Sequence, residues 1–358
     1  MVTYPQDWKE DKVSNVVDIT TGCRDTQDNK ANGRYPFFVR SPIVERIDVA
    51  DFDCEAVLTA GDGVGTGKVF HYIKGKFAAH QRVYVMSNFS NADGKYFYYF
   101  FSKNFIKEVE KYTAKSSVDS VRRAMIADME FTHPLISEQI EIVKALSTFD
   151  SYINDLAKLI EKKKDIRDGV LEDLISGRTR IDGFDYKWSD GKIGDILRIL
   201  HGKNQRAVES HNGKYPILGT GGVIGKASEF LCDWECVLIG RKGTIDKPIY
   251  MNMPFWTIDT LYFSKPEENQ CVKFQYYLFC TISWYDYTES SGRPSLAKKI
   301  IEAIPIKIPN YEEQEAIASV LTAMDEEIEA LEAERDKMIQ IREGAMDDLL
   351  SGRVRLVV

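Results

Sequence analysis

The sequence predicts a mixed α/β (α+β) protein made twice over. Two similar globular domains alternate with two long helices that form an antiparallel coiled coil, and the halves are related by an internal pseudo-twofold repeat. Three observations carry this. A helical segment recurs at a fixed offset of 175 residues. The globular segments recur more weakly at an offset of 180. The apolar residues of both helical segments step alternately by four and three.

The first globular domain is expected over residues 1–135. Glu55–Thr59 and Gln81–Met86 are short β-branched or aromatic runs bounded by Gly or polar residues, which reads as strands. Tyr96–Phe105 is rich in aromatics and reads as a helix whose rings belong to the core. The first long helix is expected over residues 136–180. Its stripe runs Ile142, Leu146, Phe149, Ile153, Leu156, Ile160, and continues through Lys163, Arg167, Val170 and Leu174 with two polar interruptions. The second globular domain, residues 181–308, repeats the pattern with strands at Cys236–Ile239 and Asp259–Phe263 and a helix at Val272–Phe279. The second long helix, residues 309–358, places Ile317, Leu321, Met324, Ile328 and Leu331 at the same steps. Stripes of this length indicate a coiled-coil seam, and two similar seams most simply pack on each other, with Ile142, Leu146, Ile153 and Leu156 against Ile317, Leu321, Ile328 and Leu331. Gly177 and Gly352 suit the left-handed position that ends a helix.

The chain has 358 residues and a formal net charge of −8, which by itself argues against a nucleic-acid binder. The charge is not evenly placed. Residues 309–358 carry 13 acidic and 5 basic residues, while residues 1–133 are neutral and residues 181–308 carry a net +1. Either domain is therefore free to present one basic face. Six irregularly spaced cysteines fit reduced thiols of a cytoplasmic protein better than a disulfide framework. The first residues, Met1 to Trp8, have no basic or apolar leader pattern, and no run of about 18 apolar residues occurs, so neither secretion nor a membrane is expected.

Several segments are candidates for contact with DNA. The loop Gly61-Asp62-Gly63-Val64-Gly65-Thr66-Gly67-Lys68 resembles a phosphate cradle but fails the P-loop pattern, with Asp62 at the first Gly position and Val69 after the lysine. Its glycine amides and Lys68 still suit a polyanion, and a tight turn with solvated charges explains it equally. Arg241 and Lys242 occupy the matching place in the second domain, and Gly219, Thr220 and Gly221 with Lys203 form further Gly-rich or basic loops there. His80, Gln81 and Arg82 precede a strand; Gln and Arg read base edges in bidentate fashion, although an internally satisfied trio fits as well. Ser116 with Arg122, and Ser290 with Arg293, stand just ahead of the two long helices, where hydroxyls and guanidiniums suit phosphates or ordinary caps. Cys232 and Cys236 lack a second pair and His71, His80, His133, His201 and His211 form no HxxxH, so no metal site is expected. No GxSxG, no matched carboxylate pair and no Asn-Pro-Pro-aromatic tetrad for a flipped adenine is present. No catalytic residue is assigned.

Glu138-Gln139 and Glu313-Gln314, Ser290-Ser291-Gly292-Arg293-Pro294-Ser295, Tyr215-Pro216-Ile217-Leu218-Gly219-Thr220-Gly221-Gly222, and the endings Leu174-Ile175-Ser176-Gly177-Arg178 and Leu349-Leu350-Ser351-Gly352-Arg353 occur here in one order and in duplicate. In this the chain closely resembles the specificity (S) subunit of type I restriction-modification systems over essentially its whole length. The resemblance implies a non-catalytic DNA reader. Each globular domain would be a target recognition domain for one half of a bipartite sequence, and the coiled coil would set the spacing. Two methylation subunits, which bind S-adenosylmethionine, would dock on the helices, and motor-nuclease subunits using ATP and Mg would join for cleavage. No cofactor is expected in this chain. The competing class is a coiled-coil scaffold whose globular units bind proteins. A free-standing methylase or nuclease is disfavoured by the missing motifs.

Overall fold

The buried run Ala56-Val57-Leu58-Thr59-Ala60 leaves no solvent-facing side, so its strand takes the middle of a sheet. In the computed structural model, which describes residues 4–63, 65–113, 120–288 and 294–356, the first domain contains β1 (Lys9–Lys12), α1 (Val13–Val16), β2 (Asp18–Thr21), β3 (Tyr35–Phe38), β4 (Glu45–Ile47), β5 (Phe52–Ala60), β6 (Phe70–Ala79), β7 (Val83–Ser87), α2 (Gly94–Thr113), α3 (Arg123–Ala127) and β8 (Glu130–His133), followed by the long helix α4 (Ile136–Ser176). The strand order is β2-β7-β5-β6-β3-β4, antiparallel except where β3 joins β6 in parallel at Phe37 and Ala78. β1 and β8 form a separate ribbon that pairs Lys9 with His133.

The second domain repeats this plan. It contains β9 (Ser189–Lys192), α5 (Ile193–Ile196), β10 (Leu197–His201), β11 (Tyr215–Gly219), β12 (Gly222–Ala227), β13 (Cys236–Gly240), β14 (Ile249–Met251), β15 (Trp256–Thr257), β16 (Leu261–Pro266), α6 (Val272–Thr281), α7 (Lys298–Ala303) and β17 (Pro305–Ile308), then the long helix α8 (Tyr311–Leu350). Its strands run β10-β16-β13-β14 and β15-β11-β12, again with one parallel pair, Ile217 beside Trp256. This is the first domain's order with the long strand β6 split in two. Pro254 lies in the break and cannot donate to a ladder. β6 instead passes through Gly75 in one piece.

The chain forms two compact units, and they do not follow the order of the repeats. One unit is Met1–Leu156 with Glu334–Val358; the other is Ala157–Ala333. Each unit therefore holds one globular domain, the first half of the helix that follows it, and the last half of the other helix. In the first unit, Ile142 and Leu146 of α4 share a core with Met346, Leu349 and Leu350 of α8, but also with Tyr96, Phe97, Phe101 and Phe105 of α2. In the second, Ile317 and Leu321 of α8 join Leu171, Leu174 and Ile175 of α4 and Phe274, Tyr277 and Leu278 of α6. The two seams thus meet within each unit, and the same residues also pack on the globular domain, because a helix stripe this wide has apolar surface left over for the aromatic rings beside it. Leu156 and Ile328 are buried, and Ile153 and Leu331 are half-buried.

The polar interruptions have a structural use. In the first unit the Asp150 carboxylate accepts from the Arg342 guanidinium at 2.6 Å and from the Tyr99 hydroxyl at 2.5 Å, and Arg342 stacks over that ring. In the second, Asp325 accepts from Arg167 at 2.8 Å and Tyr277 at 2.7 Å, with Arg167 over the Tyr277 ring. The helix-opening Glu-Gln pairs act likewise. Glu138 takes two hydrogen bonds from Arg355 at 2.7 and 2.8 Å, and Glu313 takes two from Arg180 at 2.5 and 2.7 Å. Gln139 accepts the Asp93 amide, and Gln314 the Cys271 amide. In these four ion pairs the carboxylate belongs to one helical repeat and the arginine to the other, so α4 and α8 run antiparallel within each unit. Both helices end at a left-handed glycine, Gly177 at φ 71° and Gly352 at φ 72°, which lets the chain turn back and deliver these arginines.

Candidate nucleic-acid interface

In each unit, loops from separate parts of the chain meet at one end of the sheet's central strands. In the first unit, the Gly61 amide donates to the Arg82 carbonyl at 2.8 Å, and the Gly61 carbonyl accepts from the Val121 amide at 2.7 Å. The β5–β6 loop, the residues before β7 and the stretch around Arg122 are thus brought together. Asp62 holds the centre, accepting from Arg40 at 2.7 Å and also from Arg82. Burial alone would raise the Asp62 carboxyl, but the hydrogen bonds from the two arginines hold it below the usual carboxylate range. One carboxylate against two guanidiniums leaves the cluster cationic, with Lys68 and Arg122 exposed beside it in the same loops.

The second unit repeats the junction with other residues. The Arg241 amide donates to the Thr260 carbonyl at 2.8 Å, and the Arg241 carbonyl accepts from Leu296 at 2.9 Å. Lys242 bridges to Ser295, as Asp62 bridges to Ser120. Thr220 lies near Gly243, whose absent Cβ would come within 3.6 Å of the threonine hydroxyl. The Lys203 amide bonds Thr257 at the same sheet end, and its side chain is exposed. Lys203, Thr220, Gly221, Arg241 and Lys242 therefore form one polar, basic rim without an Asp at the centre.

Not every sequence candidate faces outward. His80 is 3% exposed, and its Nδ1 accepts from the Arg82 amide at 3.0 Å. Burial and the nearby Arg40 charge push its imidazole pKa down, so a neutral ring shapes the turn from inside. His80 thus supports Arg82 rather than reading bases. Gly61, Gly65 and Gly219 are likewise buried: a Cβ at Gly61 would meet the Arg82 carbonyl at 2.8 Å and one at Gly65 the Arg40 carbonyl at 2.5 Å, which is close backbone packing instead of a phosphate cradle, while Gly219 lies under the side chains of Ile224 and Ile258. Gly63, Gln81 and Arg82 are exposed, with Gln81 weakly paired to Asp25 at 3.4 Å. Ser116, Ser290 and Arg293 lie outside the described residues. Arg40 and Asp62 escaped the candidate set, although Arg40 stands 180 residues before Thr220 and Asp62 before Lys242. The repeat offset itself was the signal for both.

Among the described residues, no group of three or more His, Cys, Asp or Glu is placed to hold a metal ion, and no helix is long and apolar enough to cross a membrane. All six cysteines are free thiols.

Two units of one topology, each bearing a differently charged loop rim at the same end of its central strands and tied to the same two helices, define a duplicated reader with two non-identical faces. The chain belongs to the family of the type I restriction modification DNA specificity domain, whose profile matches residues 5–166 and 186–340. The specificity subunit of the type I restriction enzyme EcoDI of Escherichia coli is 29% identical over 177 residues, a stretch spanning 48% of this chain and 39% of that subunit. The MjaVIII specificity subunit of Methanocaldococcus jannaschii is 23% identical over 98% of this chain and 94% of its own length. A type I restriction-modification S subunit from M. genitalium superposes with a TM-score of 0.69 over 96% of both chains at 19% identity, a likeness of fold.

If the rim of the second unit meets phosphates, Arg241→Ala and Lys242→Ala are each expected to weaken the assembled complex's binding to all duplexes alike. Each should also lower the slope of log affinity against log salt by about one. Titrations at several salt concentrations check this. A loss confined to one sequence would mean base reading, and no loss would mean a solvated turn.

Proposed function

We propose that this chain is the sequence-specific DNA recognition subunit of a type I restriction-modification complex. The observation that carries the reading is the matched loop rim. The two units carry it at the same end of their central strands with matching backbone hydrogen bonds, yet fill it with different side chains, which suits two different half-sites of one bipartite target. The acidic α8 and the long α4 suit protein partners, and we assign them the docking of two methylation subunits and the spacing of the half-sites. The chain supplies no catalytic group in this reading. S-adenosylmethionine belongs on the methylation subunits, and ATP and Mg on motor-nuclease subunits.

The test is a domain exchange. Residues 1–133 are replaced by the corresponding domain of another family member, and DNA from cells carrying the chimera and its methylation partner is profiled for modified adenines. One half of the methylated motif is expected to change and the other to persist. Change in both halves would show that the units do not read independently, and a motif unchanged in both would remove the assignment of reading to this domain.

A further inference from the structure

Soluble proteins scatter single apolar residues over their surfaces, but a recurring pair at a fixed place is different. The β3–β4 connection of the first unit exposes Ile43 and Val44, with relative exposures of 72% and 41%. The β11–β12 hairpin of the second exposes Val223 and Ile224, at 67% and 51%. The pairs are 180 residues apart, on the offset that relates the globular domains, and exchange one aliphatic residue for another. Among the described residues, all four side chains keep at least 41% of their surface open. Both pairs adjoin the basic rims. Arg40, three residues before Ile43, pairs with Asp62 at 2.7 Å, and Thr220, three residues before Val223, lies beside Gly243 in the loop of Arg241 and Lys242. Val223 and Ile224 lie in β12, Val223 opposite Leu218, and Ile43-Val44 lie in the bend just ahead of β4, where the Ile43 amide donates to the Ser41 hydroxyl at 3.1 Å.

Resting on the reading of this chain as a DNA recognition subunit, we propose that Ile43-Val44 and Val223-Ile224 are specificity-determining residues that contact thymine methyl groups in the major groove, one pair for each half-site. A two-stranded β-ribbon fits the major groove, and the thymine C5-methyl is the one apolar group that a base pair displays there. An aliphatic pair flanked by cations matches a methyl group flanked by phosphates. Exposed apolar side chains cost solubility, and burying them on a methyl recovers that cost only at the correct base, which makes the contact selective. Aliphatic side chains carry no donor or acceptor for the cytosine amino group, so the contact does not confuse a thymine with a cytosine, which presents that amino group and no methyl.

The experiment uses the complex of the full chain with its methylation subunits and duplexes of the motif found by modification profiling. Each thymine is replaced singly by uracil, which removes the methyl and nothing else. At one position in each half-site, the wild-type complex is expected to lose about fourfold in affinity, the worth of one buried methyl-sized group. The exposed double variant Ile43→Ala/Val44→Ala should lose affinity for the thymine duplex by a similar factor, and lose nothing more on uracil in the first half-site. It should keep the full uracil penalty in the second. Val223→Ala/Ile224→Ala should behave in the mirror sense. Indifference of the wild-type complex to uracil at every position overturns the inference, including the case in which the pairs instead wedge into the minor groove. So does an equal loss of the variants on unrelated duplexes. If the wild-type complex shows no preference for its motif over unrelated DNA, it is the proposed function that fails.

Discussion

Inserting one heptad after Leu156 in α4 and another after Ala333 in α8 is expected to change the modified DNA motif by lengthening its unread spacer by about three base pairs. These are the two places where the chain passes from one unit to the other, so an insertion there leaves in place the ion pairs and shared cores described above for each unit. A whole heptad preserves the register of an apolar stripe. It adds about 10 Å of helix at 1.5 Å per residue, and DNA rises about 3.4 Å per base pair. Three base pairs also turn the duplex by nearly a third of a turn, since a turn takes about 10 pairs, so slower methylation is expected along with the longer spacer. The methylated motif of the double-insertion variant, read from cellular DNA, is the measurement. Both half-site sequences should persist. An active variant that keeps the original spacing would mean that something other than α4 and α8 sets the distance.

The largest loss of stability is expected from Arg180→Ala. Glu313 is 1% exposed and takes both of its charge-assisted bonds from Arg180, with a third from the Trp188 indole at 2.9 Å. Arg180 also stacks over the Trp188 ring. Removing the guanidinium leaves a carboxylate desolvated against a single neutral donor, which costs about 3 kcal/mol or more. Arg180→Ala combined with Glu313→Gln removes the stranded charge and should recover a substantial part of that loss. Thermal denaturation of the two variants beside the wild-type chain checks both statements, and equal stability of the single and double variants would count against a buried-charge penalty. Arg355→Ala should be the milder change, because its partner Glu138 keeps slightly more solvent, at 6% exposure, and Arg355 itself shares its bonds with exposed Asp7.

These arginines also show where sequence reading stops. Arg167 and Arg342 look like faults in an apolar stripe, and only the neighbouring Tyr277, Tyr99, Asp325 and Asp150 explain them as half-buried clamps. His80 looks like a reader of bases because its neighbours Gln81 and Arg82 suit that task, but exposure is not written in residue type. Its burial follows from the turn that brings its ring nitrogen onto the Arg82 amide. Arg40 and Asp62 were open to discovery through the repeat, since an offset that aligns a candidate in one domain names a candidate in the other.

The duplication, the element order, the helix endings at Gly177 and Gly352 and the family were legible in the sequence, because periodicity, glycine placement and repeated motifs are properties of local residue order. The tertiary structure alone decided which pieces make a unit. Each helix stripe serves two partners, and no periodicity tells a helix half which domain it will complete. That choice is made by interactions between residues far apart in the chain: Asp150 with Arg342, Glu313 with Arg180, and the aromatic rings of α2 and α6 that receive the helix ends. It also assembled the loop rims, since the contacts of Gly61 with Val121 and of Arg241 with Leu296 join segments more than fifty residues apart, and backbone hydrogen bonds of that range leave no mark on composition.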